Sequence, residues 1–283
     1  MTLAIGIKYP VKQLDRLLKQ GSVTPEAIVL ASDSRWTYPN GHFKDYGAKL
    51  FQLGGDAGAV YAGKSALGEL CLTGLRNRLK AQQVPHSSYF QKIAQQTFQE
   101  VYKQVSKGIC QSERVLYMLL GVCESSGKAE LYRFRFDTDF EPEQLAGIQA
   151  IGCREPGKIF GKLLEHELNR RVREELSSRR RHQKDLAYLN KLGLKIPIPI
   201  TPYDIAMTAG YSLNAIIESN VSNLVGGKLQ CAVITKEDGF QPLSLAYTTD
   251  PTNEGPGFTR ATVQQSKLET AIPGLFGCYS LND

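Results

Sequence analysis

Paired cysteines, histidines at ligand spacing and long apolar runs are all missing from this sequence of 283 residues. Its six cysteines, Cys71, Cys110, Cys123, Cys153, Cys231 and Cys278, include no CxxC pair, which argues against a zinc or redox site and for free thiols in a reducing compartment. Four isolated histidines, His42, His86, His166 and His182, offer no HxxxH spacing, so neither a metal nor a cofactor is expected. The longest apolar runs, such as Val115 to Val122, fall well short of the ~20 residues a membrane span needs. No charged-then-apolar leader opens the chain, and the expected location is cytoplasmic, with no membrane partner.

Hydrophobic residues make up 42% of the chain, enough to bury a substantial core in one large domain or two small ones. The formal charge of +6 comes largely from the stretch between Arg170 and Lys195. No aromatics are interleaved through its Arg-rich part to stack on bases. It therefore reads as a solvated or partner-facing surface, and no nucleic-acid partner is expected.

Periodicity places a first strand at Leu3 to Tyr9 and a second apolar run at Ala27 to Ala31; Leu14, Leu17 and Leu18 give the connection between them a short helical turn. Glycine-bounded strands come next at Leu50 to Leu53 and Ala59 to Ala62. A helix from about Ser65 to Ala81 is weakened by Gly68 and Gly74, and a clearer one runs from Ser88 to Ser106 on a continuous stripe including Phe90, Ile93, Phe98 and Val101, with Ser87 or Ser88 as its cap. Strands return at Val115 to Cys123, Glu130 to Phe136 and Ile148 to Gly152. From Gly157 toward Lys195 a charged helix shows one apolar row, Phe160, Leu164, Leu168, Val172 and Leu176. Another helix starts near Thr201, with Pro202 at its first position, and buries Ile205, Ala209, Leu213, Ile216 and Ile217. A last strand is expected at Leu229 to Thr235, and after it an extended tail rich in Pro and Gly. This order suggests an α+β protein with two sheets stacked between helical layers.

Chemistry concentrates at the start of the chain. A small second residue lets the initiator methionine be cleaved, which leaves Thr2 with a free α-amine beside its own hydroxyl. An α-amine has a reference pKa of about 8, so near neutrality part of it is unprotonated and can accept the hydroxyl proton, directly or through a water. Nucleophile and base then belong to one residue. Met-Thr begins many proteins, and the pair gains weight only in company with other residues of the same site.

Thr2-Leu3-Ala4-Ile5-Gly6-Ile7, the run from Ile28 to Thr37 ending in Asp33-Ser34-Arg35-Trp36-Thr37, then Ala48-Lys49-Leu50 and Tyr61-Ala62-Gly63, succeed one another in the chain. Together they resemble the catalytic half of a proteasome β-type subunit: a leading threonine, a strand ending in Asp-x-Arg-x-Thr, a lysine opening the next strand and a glycine ending the one after. The intervals from Asp33 to Lys49 and from Lys49 to Gly63 agree with that pattern without a gap. The resemblance implies a four-layer αββα sandwich of two antiparallel sheets between helical layers, the N-terminal-nucleophile hydrolase fold. It makes Thr2 the nucleophile and Lys49 a fixed cation beside its hydroxyl. Asp33 would neutralise and orient Lys49, and the Gly63 N–H would face the oxyanion. Arg35 and Thr37 would support the strand end, with Thr37 backbone groups pairing to an extended substrate.

The second half resembles the family more loosely. Ala150-Ile151-Gly152-Cys153 falls where Ile-Gly-Ser-Gly is usual, so Cys153 takes the place of an auxiliary serine and Arg154 that of a glycine. Ser222-Asn223-Leu224-Val225-Gly226-Gly227 stands where Asp-x-x-Ser-Gly-Gly is usual, without the aspartate or the serine. Against the family pattern, residues 10–26 lengthen a connection, which a surface loop accommodates. A second insertion lies at about 165–195. Residues 1–247 then form the domain, and 248–283 an extended C-terminal tail.

The implied activity is that of a threonine-type peptidase acting without a cofactor on peptides or unfolded chains, as a self-compartmentalised homo-oligomer. No residue points to an unfoldase ATPase partner of the kind such particles use. Two alternatives are an amidohydrolase acting on a small acyl amide, since fold does not fix function, and a non-catalytic ring or scaffold subunit. A scaffold has no need of Thr2, Asp33 and Lys49 together.

Overall fold

The computed structural model describes residues 2–18, 25–37, 42–45, 47–82, 89–108, 115–181, 200–219, 222, 224–248 and 260–264. The chain opens with β1 (Leu3–Tyr9), a 3-10 turn (Lys12–Leu14) and one helical turn, α1 (Asp15–Leu18). Next come β2 (Ala27–Asp33), β3 (Trp36–Thr37), β4 (Phe43–Lys44), β5 (Leu50–Gln52) and β6 (Ala57–Gly63), then helices α2 (Ser65–Gln82) and α3 (Phe90–Val105). The second half has β7 (Leu116–Cys123), β8 (Ala129–Arg135), β9 (Glu143–Leu145), β10 (Ile148–Gly152), α4 (Arg154–Arg181), α5 (Pro202–Glu218), β11 (Leu229–Thr235), β12 (Gly239–Thr248) and β13 (Arg260–Gln264).

Two antiparallel sheets result, one of six strands in the order β10-β1-β2-β11-β12-β13 and one of five in the order β5-β6-β7-β8-β9, with β3 and β4 as a separate ribbon. Their alternation fixes the layers. Leu3, Ile5 and Ile7 of β1, Val29 and Ala31 of β2, and Val233 of β11 pack with Phe160, Leu164, Leu168 and Leu213 from α4 and α5. The opposite face of these strands, Ala4, Ile28, Leu30, Ala232 and Ile234, meets Val60, Leu119 and Leu131 of the second sheet. That sheet turns Tyr61, Met118, Leu120 and Phe134 outward onto Leu67, Leu75, Phe90 and Phe98 of α2 and α3. The central strands are therefore apolar on both faces, as a strand between two packed layers must be. The chain is α+β, and its three cores lie in the helix, sheet, sheet, helix succession of a sandwich.

Helix ends obey local chemistry. Thr201 accepts from the Asp204 N–H at 3.2 Å while Asp204 accepts from the Thr201 N–H at 2.8 Å, a capping box that opens α5 with Pro202 at its first position. Gly68 does not interrupt α2, and a side chain there would lie 2.4 Å from the ring of Tyr61. Helix α4 begins at Arg154, three residues before its expected start, and residues 182–199 lie outside the described residues, as do Ser87 and Ser88.

Three expectations are corrected. Leu229–Thr235 is not the last strand: β12 turns back on it from Gly239, whose φ of +66° makes the tight return, and β13 pairs with β12 inside the segment expected to be a tail. Gln241 and Pro242 interrupt the apolar alternation of β12 and hide it from a reading of pattern, whereas backbone pairing beside β11 tolerates them. The ribbon β3–β4 and the short strand β9 are likewise additions to the expected elements. The connection after β1 is not merely a surface loop, since Val11, Leu14 and Leu17 are buried in the core under α4 and α5.

Candidate active site

The strand ends nearest Thr2 supply the site. Ala4 faces the second sheet, and period-2 alternation puts Thr2 in the same phase, at the end of the space between the sheets. Asp33 ends β2 beside it, Lys49 immediately precedes β5, and Cys153 comes directly after β10. The sheet registers bring these ends together, because Leu3 is opposite Gly152 and Ala4 is opposite Ser32. All of the polar centre is out of water: Thr2 is 3% exposed, Asp33 0% and Lys49 1%.

Lys49 directs its ammonium at three acceptors, Thr2 Oγ1, the Arg35 carbonyl oxygen and, at 3.4 Å, Asp33 Oδ1. Its three N–H donors are thus matched one to one. Asp33 Oδ1 also accepts from the Leu3 N–H at 3.0 Å, and Oδ2 accepts from the N–H groups of Arg35 at 3.3 Å and Gly226 at 3.0 Å. A buried ion pair of this kind persists only when its remaining hydrogen-bonding capacity is satisfied, and here it is.

Burial pushes Lys49 below the ordinary lysine value, and the charge and hydrogen bond of Asp33 oppose that shift. Burial pushes Asp33 above the ordinary carboxyl value, against Lys49 and the N–H groups of Gly226 and Leu3. The geometry favours an ionised Asp33, because each of its hydrogen-bonding partners donates and a carboxyl proton would have none of them to go to. The Cys153 thiol is pushed up by burial. It holds Thr2 through the backbone instead, its N–H donating to the Thr2 carbonyl at 2.9 Å.

Glycine is required at two points. At Gly152, φ is +97° and a Cβ would lie 1.8 Å from the Thr2 carbonyl oxygen and 2.9 Å from Ala62 Cβ, so β6 and β10 close on Thr2 only without a side chain. At Gly63, φ is +124° and a Cβ would lie 2.2 Å from the Val115 carbonyl oxygen. Gly63 thereby ends β6 next to Ala62.

Arg35 contributes through its backbone, while its guanidinium is held by Asp45 at 2.8 and 3.2 Å and lies 4.0 Å above the Phe43 ring. Thr37 is opposite Phe43 in the β3–β4 ribbon, and its other edge carries no strand among the described residues. Of the residues singled out from sequence, Thr2, Asp33, Arg35, Lys49 and Cys153 meet directly, Gly63 joins them through Ala62, and Thr37 stands farther along the same chain segment.

Sequence reasoning missed four contributors. Gly226 supplies an N–H to Asp33, and a Cβ there would lie 2.2 Å from Arg35 Cζ, so a side chain would displace the guanidinium. Ser34 accepts from the Lys228 N–H at 2.7 Å and donates to the Asp45 carbonyl at 2.6 Å, tying the Gly226-Gly227 turn to the arginine clamp. Asp45 anchors Arg35, and Gln230 on β11 reaches the backbone around Lys49. Gln230 did carry a signal: it is a polar residue in the phase of Ala232 and Ile234, where the alternation asks for an apolar one.

No family model and no curated protein matches the chain. Among the described residues no three His, Cys, Asp or Glu side chains come together to hold a metal ion, and no helix is long and apolar enough to cross a membrane.

Proposed function

We propose that this chain is an N-terminal-nucleophile hydrolase of the proteasome β kind, a threonine peptidase whose nucleophile is Thr2 once Met1 has been removed. The observation that carries the reading is the buried contact of the Lys49 ammonium with Thr2 Oγ1, in a lysine itself oriented by Asp33 and the Arg35 carbonyl. The helix, sheet, sheet, helix succession, with this centre at one end of the intersheet space, supports the finer assignment of the fold.

In this reading the α-amine of Thr2 takes the hydroxyl proton, and Oγ1 attacks the carbonyl carbon of a peptide laid along the edge of β3 that carries no strand among the described residues. The positive charge of Lys49 favours loss of that proton and holds down the pKa of the neighbouring amine. The Gly63 N–H receives the oxyanion, the amine returns its proton to the leaving nitrogen, and water then hydrolyses the Thr2 ester. The substrate is a peptide or an unfolded chain, the working form a cytoplasmic homo-oligomer.

Intact mass before and after incubation with a peptide epoxyketone tests this, because that reagent needs a terminal amine and its adjacent hydroxyl to close its ring adduct. Loss of Met1 and a single stoichiometric adduct, absent in Thr2→Ala, is the expected result. Met1 retained, or lost with no adduct formed, would overturn it.

A further inference from the structure

Lys49 has to be aimed, and its own strand does not aim it. β5 begins only at Leu50 and is three residues long, at the edge of its sheet. Among the described residues before it, Gly47 donates to the Ser34 carbonyl at 2.9 Å and Ala48 accepts from the Tyr61 hydroxyl at 3.3 Å, but none has a strand pairing that would fix the direction of the Lys49 side chain. A side chain from the other sheet supplies that constraint.

Gln230 lies on β11 opposite Ser32, in line with Ala4 across the six-stranded sheet, on the face turned toward the second sheet. Its Oε1 accepts from the N–H groups of both Lys49, at 2.9 Å, and Leu50, at 3.0 Å, and its Nε2 donates to the Gly47 carbonyl at 2.6 Å. Two successive N–H groups converging on one oxygen is the geometry of a bend, as in an amide nest, and not of an extended strand. One carboxamide therefore fixes the bend at Lys49 from both of its sides. The assignment of its oxygen and nitrogen is dictated by the partners, since the flipped amide would set its NH2 against two donors and its oxygen against a carbonyl.

We propose that Gln230 is a positioning residue for Lys49, its carboxamide holding the backbone from Gly47 to Leu50 so that the ammonium meets Thr2 Oγ1. This rests on the reading of Thr2 and Lys49 as the reacting pair. Glutamine is the residue the geometry asks for. Alanine makes none of the three bonds, and asparagine is one methylene short. Glutamate keeps the two acceptor bonds, sets a carboxylate oxygen against the Gly47 carbonyl and adds a negative charge beside Lys49. The charged and titratable groups already facing this region are Asp33 from β2, Arg35 and Asp45 from the two sides of the β3–β4 ribbon, Tyr61 from β6 and Cys153 after β10.

Two measurements on the full chain separate this role from a structural one. The first is the rate of adduct formation with a peptide epoxyketone, resolved into the rate at saturating reagent and the concentration for half saturation. The second is the titration of Lys49 by carbon-13 lysine resonances, assigned through Lys49→Arg, which needs no activity. In Gln230→Ala the saturating rate is expected to fall at least about tenfold with half saturation unchanged within about twofold, and the Lys49 titration to move up toward that of surface lysines. In Gln230→Glu the rate is expected to lie between the two and the Lys49 titration again to move up, because the new carboxylate favours the ammonium.

A Gln230→Ala protein with a lower melting temperature but wild-type saturating rate and Lys49 titration would overturn the proposal. If that variant does not fold, a Gln230→Glu protein with the wild-type saturating rate overturns it. A wild-type protein that forms no adduct overturns the peptidase reading alone, and the titrations then still decide whether Gln230 positions Lys49.

Discussion

Replacing Asp33 by asparagine keeps the shape of the side chain and removes its charge. Asp33 Oδ1 serves Leu3 and Lys49, and Oδ2 serves Arg35 and Gly226. Asparagine offers one acceptor oxygen, so its NH2 must face one of these donor pairs whichever way the amide turns. Either way two buried donors lose their acceptor, and the Lys49 ammonium, 1% exposed, loses its counter-charge. Breaking a buried pair by removing one partner costs about 3–5 kcal/mol. For a chain of this size that lowers the melting temperature by roughly 6–20 °C. The loss also depends on pH. Without Asp33, burial acts on Lys49 unopposed and depresses its native pKa further, while the unfolded lysine keeps its ordinary value. Lys49 is already depressed in wild type, so between its native value in the variant and its native value in wild type only the variant takes up a proton on unfolding, and the stability of the variant relative to wild type rises with pH across that interval. Urea unfolding of both proteins at about pH 6 and about pH 9 reads both effects. A loss under about 1 kcal/mol at the lower pH, or one that grows with pH, would refute the reasoning.

Gly226→Ala places a methyl group 2.2 Å from Arg35 Cζ, so urea unfolding should show a loss of about 1–3 kcal/mol, and epoxyketone adduct formation should slow as the N–H withdraws from Asp33. Gly152→Ala should be worse than Gly226→Ala in both assays, because the atom it meets at 1.8 Å is the Thr2 carbonyl oxygen and not the end of a side chain. Leu14→Ala, in the connection after β1, should cost about 2–5 kcal/mol in urea unfolding, as a core leucine does; a loss within about 0.5 kcal/mol would return that segment to the surface.

The parts of the fold legible in the sequence are those whose pattern is set by two neighbouring layers. β1, β10, β11 and the start of α5 are readable at their observed bounds because alternation, or a capping residue ahead of proline, marks them. β12 is not, since Pro242 and Gln241 sit in it and only the register against β11 makes it a strand. The site divides in the same way. Asp33, Lys49 and Gly63 are singled out by the family resemblance, whose pattern runs along one chain segment, whereas Gly226 and Gln230 act across long separations in sequence, through one backbone N–H and one carboxamide. Gly226 leaves no periodic trace, and Gln230 leaves only a break in the apolar alternation of β11 that does not say what it binds. The burial of Leu14 and Leu17 likewise depends on α4 and α5 arriving from far along the chain to cover them.

Thr2 is fixed from one side only. Its carbonyl accepts from Cys153 and its hydroxyl from Lys49, and Leu3 beyond it is tied to Asp33, while the Thr2 N–H has no partner among the described residues. A chain shortened by its first residue can make every one of these bonds. The contacts that seat Thr2 therefore do not depend on Met1, and in the proposed reading its removal leaves each of them in place.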